Sequence, residues 1–327
     1  MVLKTITLFA ILLVPYGLIL TGWFSPPAML GLTLIMGVGM AGIGFSVAHD
    51  ALHGAYAERA WVNRLVGYSF DLLGANGYMW KITHNVVHHT YTNIQGVDGD
   101  LEVSPYLRLS PRSKYRPIHR YQHYYAFAAY SLSTLIWVTL KDFKYFLKGV
   151  EGPHRGRKLP LIEIVTLIVT KLFYYGWAIA IPVIVLHLPW WHMVVGFLAF
   201  HLSAGIILGI IFQLAHVVEQ TAHPTPDASG TMEHAWLLHE LETTADFGQD
   251  NRLLTWYVGG LNYQIEHHLF PKVCSIHYPA ISRILRELAA KYGMPYHVNP
   301  TLRAAIASHV RVLRALGRGA TELPAAA

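Results

Sequence analysis

Two long apolar runs open the chain. The first extends from about Thr5 to Phe24, and a second, reached through the tight Ser25–Ala28 turn (SPPA), continues to Ala48. Each is long enough to span a bilayer as a helix, so the pattern predicts a hairpin of spans over about residues 5–24 and 28–48. Only Lys4 precedes the first run and no small-x-small cleavage site follows it, so it reads as an anchor rather than a signal peptide. Gly31, Gly37, Gly39, Gly42 and Gly44 in the second run predict close helix packing; admission of an acyl chain between helices is the alternative. Residues 49–123 are far more polar. Within them Trp61–Trp80 mixes Asn63, Arg64 and Asp71 with aromatics, as an interfacial helix does. Tyr124–Leu140 is an apolar run of intermediate length, followed by Lys141, Lys144, Lys148, Arg155, Arg157 and Lys158. Two stronger spans follow over about 161–186 and 190–214, joined by HLPWWH, whose aromatics suit the far interface. Beyond Leu214, Ile281–Tyr292 and Leu302–Leu316 have amphipathic periodicity, and TELPAAA is a frayed tail. No repeat or linker interrupts the chain, which reads as one domain over residues 1–327.

Composition sharpens this picture. The chain is 53% hydrophobic and only 13% charged, with a mean hydropathy of +0.34, which excludes an ordinary soluble domain. The expected fold class is an all-α integral membrane protein: four transmembrane helices, interfacial helices and a cytoplasmic helical cap. Lys and Arg outnumber acids 25 to 19, an excess that in a membrane protein marks cytoplasmic loops rather than nucleic-acid binding. The single cysteine, Cys274, excludes a disulfide framework and a thiolate cluster. The 20 histidines rival the 19 acidic residues, and surface decoration does not explain that balance.

The histidines fall into three clusters: HDALH (His49–His53), HNVVHH (His84–His89) and QIEHH (Gln264–His268). On a helix His84 and His88 share one face and His89 is turned by about 100°, so the segment can serve a metal on each side. His49 and His53 sit where the second span leaves the bilayer. His267 and His268 are adjacent and diverge. His216 follows the last span directly and reads as an eighth ligand; the alternative is an interfacial histidine without a metal. Glu219, Glu266, Asp98 and Asp100 are expected either to orient metal-bound imidazoles through their distal N–H groups or, for the two aspartates, to form a solvated turn. His119 and His123 lie in a Tyr- and Arg-rich interfacial stretch and are read as non-ligands, lone His201 as a helix–helix hydrogen-bonding group, and His223, His234, His239 and His277 as isolated residues. About eight imidazoles exceed the four ligands of a closed zinc site and imply two metals. Imidazole suits several metals. A redox-active pair at the membrane surface suits dioxygen activation and attack on a lipid C–H bond, chemistry that fits iron.

The topology follows from requiring the clusters to meet. If Tyr124–Leu140 crossed the membrane, the third cluster would end opposite the first two. The run is therefore expected to be interfacial or re-entrant, with both termini, residues 49–160 and residues 215–327 in the cytoplasm.

These residues resemble the membrane fatty acid desaturase superfamily, with its HxxxH, HxxHH and [HQ]xxHH boxes, and within it the front-end, linoleoyl-CoA desaturase-like branch, whose third box begins with Gln, here Gln264. The similarity runs from about Phe45 to Tyr292 and includes HDALHGAY, VNRLVGY, the Thr243–Thr244 pair and WYVGGLNYQIEHHLFP. The resemblance implies that His49, His53, His84, His88, His89, His267 and His268 ligate two irons, that His216 matches an extra histidine after the last span, and that Gln264 is a ligand, a water-holder or an orienting group. It implies oxidation of –CH2–CH2– in a fatty acyl-CoA or acyl-lipid to a cis double bond with O2, two electrons and two protons. Many members of the branch carry a fused cytochrome b5 domain; the first span here starts almost at Met1, so the expected donor is a separate ferredoxin or cytochrome b5-type protein. The expected location is a bacterial inner membrane. The rival readings are a hydroxylase, ketolase or sphingolipid desaturase on the same boxes and, from other classes, a metal transporter or sensor, which would string its ligands along a transmembrane path, or a zinc hydrolase, which would need neither oxygen nor reductant.

Overall fold

The computed structural model of the chain describes residues 1–100, 104–148 and 159–323. Arg155, Arg157, Lys158 and the last residues of the tail lie outside the described residues. The described chain is helical apart from two-residue strands, Asp246–Phe247 and Val298–Asn299, which pair in parallel. Among the described residues, four helices are long and apolar enough to cross a membrane: Val2–Leu20, Pro26–His53, Leu161–Leu186 and Trp190–His216. They coincide with the four runs read from the sequence. The second is extended to His53 and the fourth to His216, so both carry histidines on their last turns.

The chain divides into two compact units. The first contains Met1–Met79 and the described parts of Phe127–Gly149 and Gly156–Gly209. Here the glycines of the second span serve packing. A Cβ on Gly39 would lie 2.7 Å from the backbone nitrogen of Leu12, and one on Gly37 would lie 2.7 Å from the Phe200 carbonyl oxygen, so neither position accepts a side chain; Gly31 faces open space. Large apolar side chains on the outer faces stay exposed, among them Leu13, Leu172 and Ile184, as lipid contact requires. The interfacial reading of Trp61–Trp80 corresponds to the helix Ala60–Leu72, whose amphipathic face buries Gly67 against Leu52. Tyr124–Leu140 is not one continuous α-helix: helix Gln122–Ser131 ends at a turn at Leu132 and resumes at Ser133–Ile136.

Lys171, in the middle of the third span, is buried and holds three groups: the Gly74 carbonyl at 2.5 Å, the Val138 carbonyl at 3.1 Å and the Asp142 carboxylate at 2.8 Å. Trp177 Nε1 donates to the Leu72 carbonyl and Tyr16 to the Trp177 carbonyl, which adds two more ties to that span. His201 bonds Tyr174 through Nε2 and Thr134 through Nδ1, a helix–helix role.

The second unit contains the described parts of Trp80–Ala126 and Ile210–Ala327. Leu241, Ile265 and Leu269 form an apolar cluster against Leu285, Met294 and Tyr296, which seats the third histidine motif on the helices Trp236–Thr243 and Tyr278–Tyr292. The helix Leu302–Gly317 buries Ala305, His309, Val312, Leu313 and Leu316, and its C-terminal carbonyls are taken by Arg108 and Gln122. These side-chain donors replace the intrahelical partners that a helix end lacks.

Candidate metal centre

The second histidine motif departs from α-helical geometry. Lys81–His88 is π-helical, and the His89 N–H donates to the His84 carbonyl at 3.1 Å, an i→i+5 bond. The wider turn brings both following histidines beside His84, with ring centroids 5.0 Å away for His88 and 4.9 Å for His89. His89 therefore does not occupy the far side of the helix. Its ring lies between the third-motif histidines, 4.6 Å from His267 and 4.3 Å from His268.

Three imidazoles converge next to it. His88, His216 and His268 come from three separate elements, all are buried, and their ring nitrogens lie within 4.8 Å of one another. Centroid separations are 4.7 Å for His88–His216 and 5.0 Å for each of the other pairs. Each has its Nδ1 beside an acceptor: the Asp98 carboxylate at 2.9 Å for His88, the Glu240 carboxylate at 2.7 Å for His268 and the Thr243 carbonyl at 3.4 Å for His216. This network selects the tautomer protonated at Nδ1 and leaves the Nε2 lone pair for a metal. Outside the trio, His84 Nδ1 lies 3.4 Å from Asp100 and His267 Nδ1 lies 3.2 Å from the Tyr278 hydroxyl.

The loop after the second motif fastens these elements together. Asn93 has φ = 61°, a left-handed conformation that Asn tolerates better than most residues. Its side-chain amide donates to the carbonyls of His216 and Ala222 at 2.9 Å each, and its N–H donates to Asp98 at 3.0 Å. The Thr92 hydroxyl lies 2.6 Å from the His88 carbonyl and 2.9 Å from Glu240, so its one proton is shared between them. The Thr243–Thr244 pair also gains a role: Thr244 bonds the Glu240 carbonyl, and the Thr243 carbonyl faces His216.

The expected orienting carboxylates divide. Asp98 and Asp100 face imidazoles. Glu219 does not, because both its oxygens accept from the Arg311 guanidinium, at 2.7 and 2.6 Å. Glu266 accepts from Tyr296 at 2.6 Å, and that hydroxyl also lies 2.8 Å from Asp246, whose other oxygen accepts the Ile265 N–H; Glu266 thus secures the start of the third motif's helix. Glu240 carries out the role expected of those two glutamates. Its signal in the sequence was an acid between leucines in WLLHELET, on the stripe that also holds Thr243. Gln264 places its amide 3.1 Å from His216 Nε2, the nitrogen with the available lone pair. His119 has both ring nitrogens on backbone groups, Arg116 N–H at 3.0 Å and the Pro105 carbonyl at 3.1 Å. In the first unit, His49 and His53 stand on the last turn of the second span with their rings 4.6 Å apart; a π-helical turn, Gly44–Ala48, precedes them and Gly54, at φ = 77°, ends the helix.

The chemistry of the trio fits a cation. His88 Nε2 is buried and has no hydrogen-bond partner among the described residues. Two carboxyl groups, Asp98 and Glu240, are buried beside these imidazoles. Burial pushes Glu240 up to about 8 despite the Thr92 hydrogen bond, a cost that a divalent ion on the imidazoles would offset.

A family model described as fatty acid desaturase matches residues 24–300. Among similar proteins, an "sn-1 linoleoyl-lipid 6-desaturase" of Synechocystis sp. is 33% identical over 320 residues, 97% of this chain and 89% of that one. A protein of the same name from Arthrospira platensis is 36% identical, covering 86% of this chain and 76% of the relative. An "acyl-lipid (8-3)-desaturase" of Physcomitrium patens is 35% identical over 87% of this chain and 59% of its own length.

Proposed function

Since this chain belongs to the fatty acid desaturase family, we propose that it inserts a cis double bond into an acyl chain carried on a membrane glycerolipid, using two irons, dioxygen and an external electron donor. The observation that carries this reading is the convergence of His88, His216 and His268 in a buried site with their distal nitrogens held. We assign these three to one iron; His49, His53, His84, His89 and His267 are the remaining histidines that the family's boxes give to the pair. The assignment of His49 and His53 rests on the HxxxH motif at the end of a span. The names of the two cyanobacterial-type relatives favour a lipid-linked substrate over a CoA thioester.

Bound iron supplies the oxidising power: O2, two electrons and two protons take two hydrogens from adjacent methylenes and leave as two waters. The protein's residues do the rest. Asp98, Glu240 and the Thr243 carbonyl hold Nδ1 protons, so the ring lone pairs stay directed and neutral. Burial of all three rings keeps bulk water from the site. Gln264, beside His216 Nε2, would bind the metal directly or hold a water next to it.

The chain is read as one catalytic domain because each compact unit is assembled from stretches that alternate along the sequence. The membrane is a bacterial inner membrane, with the histidines on its cytoplasmic side. The donor is a ferredoxin or cytochrome b5-type protein, for which the net charge of +6 provides attraction to an acidic partner. Lipid analysis of a host expressing the chain tests the proposal. A new double bond in glycerolipid acyl chains, formed only with oxygen and a reductant, supports it; an oxygen-independent product, or a hydroxylated one, overturns it.

A further inference from the structure

The helix Trp236–Thr243 carries none of the histidine motifs, yet it touches three of the histidines assigned to metal. Glu240 meets His268 Nδ1 at 2.7 Å, the Thr243 carbonyl lies 3.4 Å from His216 Nδ1, and Trp236 Nε1 donates to the His89 carbonyl at 3.0 Å. Its Leu241 packs with Ile265 and Leu269 on either side of His267 and His268. Glu240 is wholly buried, and the Thr92 hydroxyl links the same carboxylate oxygen to the carbonyl of His88. A buried carboxylate with no role is costly and is replaced by an apolar residue without loss. This one connects the second histidine motif to the third.

We propose that Glu240 is the positioning residue of the trio: by accepting the Nδ1 proton of His268 it turns Nε2 toward the metal, and through Thr92 it fixes His268 relative to His88. The inference rests on the two-iron reading above. Groups that hold the distal nitrogen of a metal-bound histidine contribute about 10–100-fold to metal affinity. Glu240→Ala should therefore empty one of two sites, whereas Glu240→Gln, which keeps an acceptor oxygen, should retain most of the metal.

The test uses full-length protein in nanodiscs, purified from cells grown on iron-57, with iron per chain measured by mass spectrometry and Mössbauer spectra recorded on wild type, Glu240→Ala, Glu240→Gln and Thr92→Val. The expected result is loss of about half the iron and of one Mössbauer doublet in Glu240→Ala, with rescue by Gln and a shift in one doublet for Thr92→Val. Wild-type iron content and an unchanged spectrum in Glu240→Ala overturn the inference while leaving two irons in the wild type. A wild type with fewer than two irons defeats the underlying reading instead. If Glu240→Ala does not yield monodisperse protein, Glu240→Gln decides: a shift confined to one doublet supports the role, and a spectrum identical to wild type overturns it.

Discussion

A histidine is useful to a metal when one ring nitrogen is held and the other is turned outward, and this chain meets that condition in two ways. Side-chain carboxylates hold His88 and His268, while a backbone carbonyl holds His216. Replacing His88 by Ala should remove metal and turnover together, since it deletes one of the three imidazoles of the trio. His119→Ala removes hydrogen bonds to backbone groups and an edge contact with Tyr115, so iron content should stay at the wild-type level while stability falls by about 1–3 kcal/mol. Metal analysis beside a thermal melt separates the two effects, and equal iron loss in both variants would mean that the site extends to His119. Gln264 is the intermediate case. Its amide faces Nε2 of His216, the nitrogen proposed to hold iron, so Gln264→Ala should keep iron yet slow turnover about 10–100-fold. Loss of iron in that variant would make Gln264 a ligand. Motif spacing singled out His88 and His268, and the place after the last span singled out His216, the three that the fold brings together. Of the groups that hold them, Asp98 was readable and Glu240 was not: Glu240 and Thr92 are 148 residues apart, and only the folded chain brings them to 2.9 Å.

At the scale of elements, the contrast is between patterns that a helix enforces locally and ties that tertiary structure adds. The four spans follow from hydropathy and were legible to within five residues at each end. The π-helical turns were not, because an i→i+5 bond leaves no periodic signature in eight residues, and it is this turn that moves His89 between His267 and His268. The Lys171–Asp142 pair was equally silent, since its members lie 29 residues apart. Removing one partner leaves the other buried and uncompensated, which costs about 3–5 kcal/mol. Lys171→Met and Asp142→Asn should each lower the melting temperature in detergent, and the double variant should be less destabilised than the sum of the singles. Additive losses would show that the two groups do not act as a pair. Gly39→Ala should destabilise through contact with the Leu12 backbone, while Gly31→Ala, facing open space, should not. The helix Leu302–Gly317 brings Arg311 to Glu219, and those hydrogen bonds hold the carboxyl below its ordinary range. A lowered folded-state pKa means that the pair stabilises at pH values above the unfolded carboxylate pKa and that this contribution is lost as pH falls through the folded value. Wild type should therefore lose more stability than Glu219→Gln on acidification below about pH 4.5, the ordinary range of a glutamate. Parallel acid titrations of the two proteins would contradict the assignment.

For the whole molecule, topology decides whether the motifs can serve one site, and it can be argued from parity alone. The connection between the first two spans runs only from Thr21 to Ser25, and that between the last two from His187 to Pro189; neither holds a histidine motif. His53 ends the second span and His216 ends the fourth, so if the intervening chain makes exactly two crossings, both ends face the same side. That condition depends on Tyr124–Leu140. The turn at Leu132 breaks its helix, Asp142 follows close behind, and Lys141, Lys144 and Lys148 favour retention on the cytoplasmic side. In a Cys274→Ser background, single cysteines at Ser25 and His187 should react with an impermeant maleimide added outside intact cells, and a cysteine at Lys144 should react only after the membrane is opened. External labelling at Lys144 would add a crossing, put His216, His267 and His268 on the side opposite His53, and make a shared two-metal site impossible.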